Sequence, residues 1–273
     1  MKTHYLLASD FDQTLSFNDS GQVLSELLGI ADFERKVQGL SGSYLVQQGA
    51  ELAYLLRHDP EFRAVRREHL IRAGKRVRLK HDVAKLAEIL KHGLGDARIH
   101  FVVISAAPRL VVQSALEGLV PPERVFGTEF GFDERTGEIA SVERVPAGYG
   151  KVAVLQQVEQ ALGVTPEHTI YVGDGSSDLY VMHHVNSCEG HTIAVSETHA
   201  VGRVAERSVL SDSALSVLLP VMEDVLGWNA VRVRELFANH GYGLRGWDKV
   251  RTDFLTFQRE RPSRAPSSPI GAA

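Results

Sequence analysis

The stretch Tyr5-Leu6-Leu7-Ala8-Ser9-Asp10-Phe11-Asp12-Gln13-Thr14 decides how this chain is read. Residues 4–9 have the short apolar pattern of a buried strand, and the run breaks off at two carboxylates and a hydroxyl on alternate positions. Alternate residues of an extended strand share one side, so Asp10, Asp12 and Thr14 are expected to gather at the strand's carboxyl end. Two carboxylates about 4 Å apart repel by roughly 4 kcal/mol at an effective dielectric near 20. Such a cluster is stable when a divalent cation, a shared proton or a cationic side chain offsets the repulsion.

Outward from this stretch, strands and helices alternate. Residues 99–104 form a second buried strand, followed by a helix over 108–119. Short strands are expected near 125–130 and 138–142, then a helix over 151–162, a strand over 169–172, a helix over 177–185 and a strand over 191–195. Further helices are expected over 82–92, 211–226 and 230–239. This alternation predicts an α/β fold, a Rossmann-like and mainly parallel sheet with helices on both faces.

One block interrupts the pattern. Between Asn18 and Ala73 the apolar residues, among them Val23-Leu24, Leu27-Leu28, Leu45, Leu55-Leu56 and Leu70-Ile71, recur at spacings of three and four, which marks amphipathic helices without a strand. The expected division is an α/β core over 1–16 and 80–258, including C-terminal helices, and a small helical cap over 17–79 inserted after the first strand. The tail over 259–273, rich in Pro, Ser and Arg, is expected to be disordered.

Composition narrows the class. The net charge of −4, from 30 basic and 34 acidic residues, gives no overall pull toward nucleic acid. The one cysteine, Cys188, excludes an internal disulfide and agrees with a reducing cytoplasm. The N-terminal apolar run is too short for a signal-peptide core, and no run reaches membrane length. A soluble cytoplasmic protein is expected, without membrane or nucleic-acid partners and with its oligomeric state left open.

In open α/β sheets, sites lie beyond the carboxyl ends of the strands. The first apolar run ends in Asp10 and Asp12, the second in Ser105-Ala106-Ala107, and the third in Gly173-Asp174-Gly175-Ser176-Ser177-Asp178; Lys151 opens a helix after Gly148-Tyr149-Gly150. A phosphate monoester carries about −1.5 to −2 charge near neutral pH, which must be neutralised before a carboxylate can attack it. Mg²⁺ on oxygen ligands and Lys151 supply positive charge, while Ser105 and nearby backbone N–H groups, Ala106 among them, hold phosphoryl oxygens. Asp10 is then the candidate nucleophile and Asp12 the candidate acid and base.

Together these segments resemble the four motifs of haloacid dehalogenase superfamily phosphatases, over roughly residues 4–195. The helical insertion is similar to that superfamily's first type of cap, as in phosphoserine phosphatases. The resemblance implies Asp10 as nucleophile and metal ligand, and Asp12 as acid/base with its backbone carbonyl on the metal. It also implies Ser105 and Lys151 on the phosphoryl group, Asp174 as metal ligand and Asp178 orienting Lys151 or metal-bound water. Dehalogenases and P-type ATPases of the superfamily lack an acid at the second position, so Asp12 implies phosphatase or phosphotransferase chemistry.

The substrate implied is a small phosphorylated metabolite. Phosphoserine phosphatases grip serine with an acid and an arginine; the acid falls at Asp19 here, but Leu52 stands where the arginine would be, and Ser177 replaces a common asparagine. Without that cation a substrate carboxylate has no bidentate partner, which disfavours phosphoserine. Two alternatives are carried forward: a phosphotransferase or mutase using the same Asp, and a non-enzymatic phospho-Asp signalling module. The basic residues between Arg63 and Lys80 read as a solvated helix face. Gly148-Tyr149-Gly150-Lys151 is not a nucleotide P-loop, because Val152 replaces the hydroxyl residue.

Overall fold

Leu6, Leu7 and Ala8 have no solvent exposure, because their strand lies at the centre of the sheet and is covered on both faces. The computed structural model describes residues 2–43, 46–244 and 246–247. Its strands are β1 (Thr3–Ser9), β2 (Ala97–Pro108), β3 (Val125–Phe132), β4 (Ile139–Arg144), β5 (Thr169–Gly173), β6 (His191–Ala194) and β7 (Arg207–Ser208). They form one seven-stranded sheet in the order β4-β3-β2-β1-β5-β6-β7. Every neighbouring pair is parallel except β3 with β4.

The helices are α1 (Ser20–Leu28), α2 (Phe33–Ser43), α3 (Glu51–His58), α4 (Arg67–Arg76), α5 (Val83–His92), α6 (Arg109–Ala115), α7 (Tyr149–Leu162), α8 (Leu179–Ser187), α9 (His199–Val204), α10 (Leu218–Pro220) and α11 (Ala230–Asn239). Strand alternation sorts the core into two layers. Leu7, Phe101 and Val103 pack with α5 and the C-terminal helices, while Leu6, Ala8 and Val102 pack with α7 and α8. The expected α/β fold, a mainly parallel sheet covered on both faces, is the fold observed.

The inserted helices α1 to α4 share a third apolar cluster, in which Leu24, Leu56, Phe62 and Leu70 meet Val111 of α6 and Ile139 of β4. The chain leaves and returns through a short antiparallel crossing: Phe17 N–H donates to Arg78 C=O and Lys80 N–H to Leu15 C=O, both at 2.8 Å, around a bridge between Ser16 and Leu79. The helical block therefore sits over the carboxyl ends of the strands, tied at its base and packed along one side.

Several boundaries differ from the expected ones. The helix expected over 211–226 is broken into a 3₁₀ turn (Ala214–Val217), α10 and a π-turn (Val221–Val225). Pro220 has no N–H to continue an α-ladder, and a π-turn absorbs the irregularity. The helix α9 and the two-residue strand β7 were too short to carry a periodic signal. The basic residues make surface contacts: Arg63 and Arg66 pair with Glu138, Lys75 pairs with Glu117, and Arg67 lies over the Phe132 ring. Leu45, residues 248–258 of the expected core and the expected tail at 259–273 lie outside the described residues.

Candidate active site

The chain runs outward from β1 through β2 to β4, then returns to place β5 on the other side of β1. Ligand crevices in such sheets form where the strand order reverses. Here that point lies between the carboxyl ends of β1 and β5, which carry Asp10 and the segment from Gly173 to Asp178.

Asp10 follows β1 directly, and its backbone N–H donates to Val172 C=O at 2.8 Å. Its Oδ1 accepts from Phe11 N–H at 2.7 Å, and its Oδ2 lies 2.8 Å from the Lys151 ammonium. Lys151, in the first turn of α7, is fully buried and also contacts Asp178 Oδ1 at 2.6 Å. Asp178 is fully buried too. Its Oδ1 accepts from Tyr171 O–H at 2.7 Å, and its Oδ2 from the N–H groups of Asp174 and Gly175 at 3.2 and 3.1 Å.

This packing leaves no room for a side chain at Gly173, where a Cβ would lie 2.5 Å from the Asp178 carboxylate. Gly173→Ala is expected to cost about 1–3 kcal/mol, the range for overpacking, and to displace Asp178 from Lys151. A urea melt and a rate assay on the variant check both effects; wild-type values in each would contradict the packing.

Asp10, Asp12 and Thr14 do gather, but not by strand alternation as expected. The strand ends at Ser9, and residues 11–15 turn tightly, with Leu15 N–H donating to Phe11 C=O at 2.9 Å and Gln13 at φ 57°. Asp10, Asp12 and Asp174 each have donors of their own. Asp12 Oδ1 accepts from the Ser20 N–H at 3.0 Å and its hydroxyl at 2.6 Å. Thr14 O–H donates to Asp174 Oδ1 at 3.0 Å, linking the first and last acidic segments.

Ser105 is buried at the end of β2, its Oγ accepting from Ala107 N–H at 3.2 Å. Asp10, Asp12, Ser105, Ala106 and Asp174 line one wall of a cleft of about 280 Å³, and Asp19, Phe33, Glu51 and Leu52 line the other. Lys151 and Asp178 lie beneath the first wall in contact with each other, and Lys151 also touches Asp10. Asp19 caps α1, its Oδ1 accepting from the N–H groups of Gly21 and Gln22 at 2.8 and 3.0 Å.

Sequence reading missed Ser20, Tyr171 and Glu51. Tyr171 left a signal: a phenol inside the apolar run of β5 needs a buried partner, and Asp178 is that partner. Glu51 left none, since an acid in the first turn of a helix is ordinary.

Burial pushes the Asp10 carboxyl up to about 6, with Asp178 adding to the rise and Lys151 opposing it. Burial, then the Asp10 and Asp178 charges, push Asp174 up to about 7. Burial, then Asp19, hold Asp12 well above the usual carboxylate range. For Lys151, burial favours the neutral amine, but Asp10 and Asp178 more than reverse this and keep the ammonium charged.

Carboxylate oxygens of Asp10, Asp174 and Asp178 lie within 4.8 Å of one another, a hard-oxygen set of the kind that holds Mg²⁺. Each Asp178 oxygen already accepts two donors, so Asp10 and Asp174 are the carboxylates with a lone pair to give. Burial first, and neighbouring carboxylates after it, make Asp10 and Asp174 costly to ionise, and a divalent cation would offset that cost.

A carboxyl whose folded pKa is raised binds its proton more tightly folded than unfolded, so its contribution to stability falls as pH rises. Each tenfold change in proton affinity is worth about 1.4 kcal/mol. Metal-free protein is expected to lose on the order of 6 kcal/mol between pH 4 and pH 8 from Asp10 and Asp174 together, with the steepest loss between pH 4 and about 7. Added Mg²⁺ should raise Tm more at pH 8 than at pH 5. A flat metal-free Tm over that range would contradict the raised proton affinities of Asp10 and Asp174.

The sequence profile of the haloacid dehalogenase-like hydrolases matches residues 7–183. Solved structures share the fold. A substrate-bound phosphoserine phosphatase aligns with a TM-score of 0.65 at 19% identity, covering 80% of this chain and 99% of that one. A haloacid dehalogenase family hydrolase from Salmonella enterica serovar Typhi gives 0.64 at 16% identity, covering 80% and 71%. A phosphoserine phosphohydrolase-like protein from Francisella tularensis gives 0.59 at 18% identity, covering 80% and 100%. No curated protein matches the chain by sequence. With the family profile covering most of the chain and the site assembled at the strand ends, this protein belongs to the haloacid dehalogenase-like hydrolases.

Proposed function

We propose that this hydrolase is a Mg²⁺-dependent phosphatase that cleaves small phosphate monoesters through an aspartyl-phosphate on Asp10. One observation carries the proposal: Asp10 faces the cleft with a charged Lys151 on one oxygen, Asp174 beside it and a second carboxyl, Asp12, on the same wall. Residues 17–79 would act as the cap that closes the cleft, and residues 1–16 with 80–258 as the catalytic core. Having one cysteine fits a reducing compartment, and we read the enzyme as cytoplasmic.

Mg²⁺ held by Asp10, Asp174 and the Asp12 carbonyl would neutralise phosphoryl charge. An Asp10 oxygen attacks phosphorus as the ester P–O bond breaks, and Asp12 gives its proton to the departing alkoxide. Burial, then the Asp19 charge, raise its proton affinity, which favours the acid role, and the Ser20 bonds hold the carboxyl in place. Asp12, now ionised, takes a proton from water, whose oxygen attacks phosphorus and releases phosphate and Asp10. Lys151 and Ser105 hold phosphoryl oxygens during both steps, and Asp178 keeps Lys151 in place.

The test is phosphate release from p-nitrophenyl phosphate with Mg²⁺. EDTA is expected to lower the rate by about 100-fold or more, and excess Mg²⁺ to restore it. Phosphate released in step with ester lost separates hydrolysis from transfer to another acceptor. Turnover that ignores EDTA would sink the mechanism.

A further inference from the structure

The neighbouring helices α7 and α8 carry their charge on the wrong side for a surface kept in water. Among their residues only Lys151 and Glu159 are drawn from Asp, Glu, Lys and Arg, and both are buried. Lys151 serves the acids of the cleft, and Glu159 accepts from the Thr169 hydroxyl at 2.7 Å. What faces outward is uncharged: on α7 Tyr149, Gln156, Gln157, Gln160 and two alanines, and on α8 Tyr180, His183 and Ser187. Other helices show the usual charged outer stripe. The helix α4 exposes Arg67, Glu68, Arg72 and Lys75, and α5 exposes Glu88 and Lys91.

At one end of this face the Tyr149 and Tyr180 rings stack, with centroids 4.7 Å apart, although they are 68% and 45% exposed. Stacked rings left in water beside a surface without charge have the composition of an interface core, in which aromatic residues are enriched and charged ones depleted.

The chemistry of the face selects its partner. An acidic or basic partner would find no opposite charge to pair with. A second copy of this chain fits better, because a two-fold axis sets the same patch against itself. Like charges opposed in that way cost several kcal/mol, and this face has none to oppose. Its glutamine amides and its tyrosine and serine hydroxyls each donate and accept, so every polar group can pair with its own counterpart.

We propose that the outer face of α7 and α8 is a self-association surface on which two copies of this chain meet about a two-fold axis. The proposal does not depend on the phosphatase reading. The fourteen residues of α7 span about 21 Å, and two adjacent helices are about 20 Å wide. The face therefore covers about 400 Å² in plan, roughly half of what each partner gives to a standard interface. Such a contact makes a weak, reversible dimer, with Kd about 10–100 µM. The net charge of −4 on each chain opposes approach, so added salt should tighten the dimer by screening that repulsion.

Sedimentation velocity on the full chain, from about 2 to about 200 µM, tests the proposal. The average mass is expected to rise from that of one chain toward that of two, and to rise at least as far at high salt as at low salt. Ala153→Arg with Gln157→Arg, one turn apart on the outer side of α7, should raise Kd about tenfold or more by opposing like charges. Tyr149→Ser with Tyr180→Ser should do the same by removing the aromatic contact. Ala84→Arg, exposed on α5 in the opposite layer, adds a charge elsewhere and should leave Kd unchanged. Thermal melts of each variant separate a lost contact from a lost fold. A chain that stays monomeric at the highest concentration overturns the proposal. So does a dimer that survives both double variants, or one that salt dissociates, since each places the contact on a different face.

Discussion

Asp10→Asn is expected to abolish turnover while leaving the protein folded. The amide matches the carboxylate in shape and keeps an oxygen for the Phe11 N–H, but it is a far poorer nucleophile toward phosphorus. Loss of the covalent route should lower kcat by about 10³-fold or more, equivalent to about 4 kcal/mol in the barrier. Stability should change little, because two effects oppose. Lys151 loses one of its partners, yet keeps Asp178 at 2.6 Å, and the cost of burying an ionised Asp10 disappears. The variant should also lose the part of the pH dependence of stability that Asp10 contributes, between the ordinary carboxylate range and about 6. Stopped-flow and steady-state assays, with a pH series of thermal melts, check these outcomes. A folded Asp10→Asn protein with near wild-type kcat would require a different nucleophile.

Lys151→Met should unfold the site itself. The ammonium is fully buried between Asp10 and Asp178, and removing one member of a buried ion pair costs about 3–5 kcal/mol, because the remaining charge has lost its partner. Here two carboxylates lose it at once. Lys151 lowers the proton affinity of Asp10; with the cation gone Asp10 holds its proton more tightly in the folded state, so the deficit should be small near pH 4 and grow as pH rises. Chemical denaturation of wild type and variant at pH 5 and pH 8 tests this directly. A deficit equal at both values would mean that packing, not charge, is the contribution of Lys151. Activity should fall with it even where the variant stays folded, since the phosphoryl group would lose its buried cation.

Much of this candidate site was legible because its residues are placed by regular elements. Asp10, Ser105 and Asp174 each follow an apolar run, and a strand buried on both faces has no other way to be written than as such a run. Lys151 and Asp178 were readable from their place at helix starts after those runs. Ser20 was not, because nothing in a serine after Asp19 says that it will turn back to hold Asp12. The tight turn at Gln13 was hidden for a related reason: alternation is a rule for extended chain, and the chain stops being extended at Ser9. The break at Pro220 was visible as a proline, but its outcome, a π-turn rather than a helix end, depended on the packing of Val221 and Met222 into the core.

The sequence by itself determined the α/β fold, the helical insertion and the acids that meet at the strand ends. Those features follow from local rules, since strand burial, helix periodicity and the carboxyl-end position of sites are each written in neighbouring residues. Only the tertiary structure decided that Asp178 is saturated and serves Lys151, while Asp10 and Asp174 keep lone pairs for a cation. It alone brought Glu51 to the cleft, across from Asp10. The physical reason is that charge balance in a closed space is a sum over groups far apart in the chain. No single segment contains that sum, and the fold of the inserted helices completes it.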